Sequence, residues 1–156
     1  MKRWERGLFH ASTAVVAASG VLYFWMKYVM ESNDPFSIVN HPWQPGMLAA
    51  HVLAAPVLVF VTGLIADSHV RRKLRSGARS NRSSGVLSLI VLFPMIVSGY
   101  LLQVLTGPLL IRIMIVVHVG SSFFFVVTYF VHQVVSFRLR KPAAPPARRA
   151  WPGEVA

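Results

Sequence analysis

Residues 109–137 read LLIRIMIVVHVGSSFFFVVTYFVHQVVSF. Arg112, near the start, is the only charged group in a run longer than the roughly 20 residues a helix needs to cross a bilayer. Two histidines interrupt it, His118 and His132, two heptads apart. At about 100° per residue that spacing falls about 40° short of four full turns, so both rings leave the same face, at depths ~21 Å apart. An ionisable side chain inside a membrane helix is costly and marks a functional site by default. This helix carries two on one stripe.

Three further apolar runs precede it, at about 7–30, 46–67 and 85–106, with Gly107-Pro108 as the break before the last. Pro56 and Pro94 lie inside spans, where neighbouring helices re-satisfy the freed carbonyls. Across the 156 residues, 54% are hydrophobic and 13% charged, about half the charge of an ordinary soluble domain. The expectation is an all-α, integral membrane four-helix bundle occupying residues 1–137. A basic, Pro/Ala-rich tail, 138–156, is expected to be disordered. No internal repeat is apparent. The N-terminal run continues through Val21–Trp25, too long for the apolar core of a signal peptide, so it reads as a retained span.

The net charge of +11 does not form a basic face interleaved with aromatics, so nucleic acid is excluded as a partner. The charges fall in three blocks between the apolar runs: Lys2 to Arg6, Arg71 to Arg82, and Arg138 to Arg149. All but Lys27 and Arg112 of the 16 basic residues lie in these blocks, which four spans place on one side. The positive-inside rule then predicts both termini in the cytoplasm, in a multi-pass membrane protein.

Four histidines lie in spans, and their depths match in pairs. His10 and His132 are near the cytoplasmic ends of spans one and four; His51 and His118 are near the outer ends of spans two and four. Neutral imidazole is an axial ligand of haem iron, and facing helices of a bundle are where such cofactors sit. The absence of cysteine excludes covalent CxxCH attachment and thiolate metal sites. The expectation is two non-covalent haem b groups, one between His51 and His118 on the outer side and one between His10 and His132 on the inner. His41 and His69 fall in loops and read as non-ligands. Gly20, Gly63, Gly99 and Gly120 lie within different spans, where a missing side chain either admits a macrocycle or lets helices pack closely. Arg112 and Lys27 are candidate propionate partners of the outer haem, and Arg6, with Arg3 and Arg138, of the inner one; lipid headgroups are the alternative for each.

Histidines in spans one and two, with a pair two heptads apart in span four, resemble the four-helix di-haem cytochrome b family. That family includes the membrane subunits of formate dehydrogenase and thiosulfate reductase and the bacterial cytochrome b561-like proteins. The resemblance covers residues 7–137 and rests on ligand spacing. It implies an electron-transfer subunit of a larger oxidoreductase, linking a redox protein subunit on the outer side to membrane quinone near the inner haem. A stand-alone b561-like oxidoreductase, for instance one oxidising superoxide, is a second expectation, and a non-haem proton or metal conduit a third. Against the conduit, no Asp or Glu lies well within a span. Quinone reduction needs proton-exchanging groups at the membrane edge, and Asp67, His69, Asn81 and Arg82 are the candidates there, with Gln103 the outer-side alternative. The outer loop Glu31–Pro45 is expected to dock the partner or to cap the outer haem, with Trp43 as an interfacial anchor.

Overall fold

The computed structural model describes residues 2–66 and 82–138, with the backbone alone for 82–84. These residues form four helices: α1 (Arg3–Tyr28), α2 (Gln44–Ile65), α3 (Arg82–Val104) and α4 (Pro108–Arg138). The described residues are thus all-α, with four helices long and apolar enough to span a membrane. Of the sequence-expected groups, Asp67, His69, Asn81 and the tail beyond 138 lie outside the described residues, and Arg82 is described only as the start of α3.

Local chemistry sets the helix ends. The Lys2 backbone N–H donates to Glu5 Oε2 at 2.8 Å, satisfying one of the free amides at the start of α1. At the start of α2, Trp43 N–H donates to His41 Nδ1 at 3.1 Å, and Pro45 occupies the first turn, where no amide is required. His41 is therefore a turn residue that helps begin α2. Gly107 precedes Pro108, the first residue of α4, and the short break Leu105–Gly107 turns α4 back along α3. At 1.5 Å per residue, α4 with its 31 residues is about 46 Å long, well beyond the ~30 Å hydrocarbon thickness.

The helices pack as two antiparallel hairpins, α1 with α2 and α3 with α4. On α1 the buried positions Glu5, Ser12, Ser19 and Met26 recur in a heptad pattern, with Val16 between, a knobs-into-holes stripe. Leu58, Val61 and Ile65 are the buried residues of α2, at spacings of three and four. Between α3 and α4 the core is Leu92, Met95 and Phe125, supported by Leu89, Val91 and Ile96. Outward faces are apolar: Leu53, Phe93 and Val116 are exposed by 75, 71 and 73%. In a bilayer this surface meets lipid, so no extramembrane partner is needed to cover it.

One buried polar atom has no hydrogen-bond partner among the described residues: the hydroxyl of Thr13, a residue 4% exposed. An unsatisfied buried hydroxyl costs about 1–3 kcal/mol. Thr13→Val is therefore expected to raise the detergent-solubilised unfolding temperature, by a stabilisation of about 1 kcal/mol. A fall in that temperature would show that the hydroxyl has a partner in the working protein.

Candidate histidine centres between the hairpins

The two hairpins meet through their histidines. His51 of α2 and His118 of α4 stand with ring centroids 6.1 Å apart and planes at 84°. Each ring is anchored the same way. His51 Nδ1–H donates to the Val16 carbonyl of α1 at 2.9 Å, and His118 Nδ1–H donates to the Met95 carbonyl of α3 at 3.0 Å. A carbonyl can only accept, so the proton sits on Nδ1 in both rings and Nε2 keeps its lone pair. A serine hydroxyl lies beside each Nδ1, Ser19 at 3.4 Å and Ser98 at 3.2 Å, and each serine also bonds back to carbonyls of its own helix.

A glycine follows each serine, and it is where the imidazole rests. A methyl group at Gly20 would stand 2.8 Å from His51 Cε1, and one at Gly99 3.0 Å from His118 Cε1. The two hairpins therefore repeat one constellation: a carbonyl, a Ser-Gly dipeptide beginning one turn later, and a histidine from the antiparallel helix. Gly85 carries a third instance of the contact, its added methyl 3.1 Å from His132 Cε1. Ser84-Gly85 precedes Ser98-Gly99 by two heptads, the same interval that separates His118 from His132. One unbroken antiparallel register thus seats both α4 histidines on α3 glycines. By contrast, Gly63 and Gly120 have nothing within 4 Å of an added methyl.

His10 reaches α4 by another route. Its Nδ1 is 2.6 Å from the hydroxyl of Tyr129, one turn before His132. This contact and the glycine contacts fix the levels. His51, His118, Gly20 and Gly99 share one end of the bundle; His10, Tyr129, His132 and Gly85 share the other. The level separation is ~15 Å along α1 and about 16–21 Å along α4 at 1.5 Å per residue. Arg3 and Arg138, where α1 begins and α4 ends, lie at the His10 end.

The basic candidates are placed less centrally. Lys27 is exposed, its Nζ donating to the Tyr23 hydroxyl at 3.0 Å and lying over the rings of Tyr23 and Tyr28 at 5.4 and 5.6 Å. Arg6, Arg112 and Arg138 are exposed. The Lys27 carbonyl accepts from Asn40 Nδ2 at 3.0 Å, tying the outer loop to α1.

The donor set at the outer pair suits one metal bound between two imidazoles. With metal–imidazole bonds of about 2.0–2.1 Å and each nitrogen roughly 1.1 Å from its ring centre, two in-line rings have centroids about 6.3 Å apart. The observed 6.1 Å agrees. Among the described residues no three His, Cys, Asp or Glu side chains gather into a metal-binding group. Two donors leave a tetrahedral zinc site incomplete, whereas haem brings four equatorial nitrogens and needs only two axial ones.

Sequence reading missed two residues here. Gly85 was signalled by the repeated Ser-Gly dipeptide. Tyr129, the one tyrosine of span four, was signalled by a phenol that needs a partner inside a membrane. No protein-family model, curated protein or solved structure matches the chain.

Proposed function

We propose that the chain is a di-haem b-type cytochrome, a membrane subunit that passes electrons between a redox partner on the outer side of a bacterial cytoplasmic membrane and the quinone pool. The observation that carries this reading is the His51–His118 pair: centroids 6.1 Å apart, both Nδ1 protons committed to backbone carbonyls. His51 and His118 hold the outer haem, and His10 and His132 the inner one. Haem iron between two imidazoles supplies one-electron transfer.

The chain's own part is binding, orientation and exclusion of water. The Val16 and Met95 carbonyls keep each ligand in one tautomer and increase its basicity, so neither ring has to reorganise. Gly20, Gly85 and Gly99 give the rings room against helix backbone. Both termini are cytoplasmic in this reading, by the positive-inside rule, so the His51–His118 level faces outward. The loop at that end exposes Phe36, Ile38 and Trp43 by 93, 100 and 67%, an apolar surface suited to a protein partner. Arg112 and Lys27 belong to the same outer level and Arg6 to the inner one, as partners for propionates or headgroups. Quinone exchange is assigned from the sequence to the cytoplasmic edge, with Asp67, His69, Asn81 and Arg82.

A reduced-minus-oxidised spectrum with pyridine haemochrome quantification tests the reading. The expected result is two haem b per chain, both low-spin. A folded preparation without a Soret band would remove the reading and favour a histidine-lined conduit.

A further inference from the structure

The outer histidines lean on backbone carbonyls, which no side-chain substitution removes. His10 is different, because its Nδ1 meets a side chain, the Tyr129 hydroxyl at 2.6 Å, with the rings edge-on at 66° and centroids 5.9 Å apart. Tyr129 is itself held by aromatic neighbours. Phe125, 5% exposed, stacks on it at 6.2 Å and 29°, and Phe9 of α1 packs at 6.0 Å. The phenol oxygen is thus aimed at α1 from one turn before His132.

We infer that Tyr129 is a positioning residue for His10: its oxygen accepts the Nδ1–H, leaves the lone pair on Nε2, and strengthens that nitrogen as a donor. The inference rests on the haem reading and concerns only the inner centre. A phenol can donate or accept, unlike a carbonyl. Once Nε2 binds a metal, however, the ring carries its only proton on Nδ1, and accepting is the role left to the phenol oxygen. An acceptor on the distal nitrogen raises ligand basicity, which favours the oxidised metal. Span four then supplies both a ligand, His132, and the group that orients the ligand opposite it.

The test uses the full chain purified with its haems and the variant Tyr129→Phe, which keeps the ring and deletes one oxygen. Redox titration is expected to show the wave that His10→Ala abolishes moving positive by about 59 mV, a tenfold change in the oxidised-to-reduced ratio of a one-electron couple. The other wave stays in place. In parallel, 15N-histidine NMR of the reduced, diamagnetic protein is expected to show the Nδ1–H form of His10, with that proton shifted or exchanging faster in Tyr129→Phe. Unmoved waves in Tyr129→Phe would overturn the inference while leaving the haem reading intact. The Nε2–H form of His10 in the parent protein would overturn the inference together with His10 as an Nε2 ligand of the inner haem. A chain that carries no haem fails the functional reading instead. The NMR comparison still decides the Tyr129–His10 bond in that case.

Discussion

On the proposed di-haem reading, replacing His118 by alanine is expected to lower the haem content of the purified chain from two per polypeptide to one, and His51→Ala is expected to remove the same haem. The two rings stand 6.1 Å apart on different hairpins, and each has only its Nε2 left to ligate. Losing either one leaves a single axial donor where low-spin iron needs two. Removing an outer-shell partner of a metal ligand commonly costs about 10–100-fold in affinity, so losing the ligand itself costs at least that. His10→Ala and His132→Ala should remove the other haem, because Tyr129 and Gly85 bring those histidines to the opposite end of the bundle. Potentiometry of the four variants checks the pairing: two variants should lose one wave and two the other. If His10→Ala and His51→Ala lost the same wave, pairing by depth would be wrong.

The second large effect comes from adding a single methyl group. Gly20→Ala places a carbon 2.8 Å from His51 Cε1, and Gly99→Ala one 3.0 Å from His118 Cε1. Neither ring can retreat freely, because its Nδ1 is bonded to a carbonyl of the same helix that carries the glycine, at 2.9 and 3.0 Å. The ring must tilt, and the facing pair opens. Each substitution is expected to weaken retention of the outer haem by about 10–100-fold, the range found when ligand orientation is lost. Gly85→Ala should do the same to the inner haem, through His132. At Gly63 and Gly120 an added methyl meets no described protein atom within 4 Å, so Gly63→Ala and Gly120→Ala should leave the histidine rings in place, and haem loss there would instead mark space that the macrocycle itself fills. Haem per chain after extended detergent washing is the measurement. Full outer-haem retention in both Gly20→Ala and Gly99→Ala would show that the rings have slack, and that the glycines serve only close helix packing.

The histidine reading shows how far spacing along a chain reaches. That His118 and His132 share a face follows from helical periodicity alone, because two heptads nearly complete four turns. Their glycine seats were legible only in part. Gly20 and Gly99 stood out as small residues within spans, yet so did Gly63 and Gly120, which contact no histidine. Telling them apart requires the register of each hairpin, a long-range quantity fixed by how helices dock. Gly85 was overlooked because it lies at the edge of an apolar run, although its dipeptide repeats at the histidine interval. Lys27, a candidate anion partner from its charge and depth, also donates to the Tyr23 hydroxyl, one turn away on the same helix. A long flexible cation takes the nearest acceptor and ring faces, which depth does not reveal.

Bilayer physics made the architecture readable from residues alone. Hydrocarbon forces backbone polar groups to pair internally, so each long apolar run must be a helix, and the four expected spans coincide with the four helices to within a few residues. The same cost of burying polar groups made four span histidines conspicuous. Tertiary structure alone decided which atoms they present. Docking α1 on α2 and α3 on α4 brings the Val16 and Met95 carbonyls to two Nδ1 protons and so selects the free nitrogen of each ring. Docking α1 against α4 sets Tyr129 on His10. Those contacts join residues far apart in the chain, and their geometry depends on helix register and rotation, which local periodicity leaves undetermined.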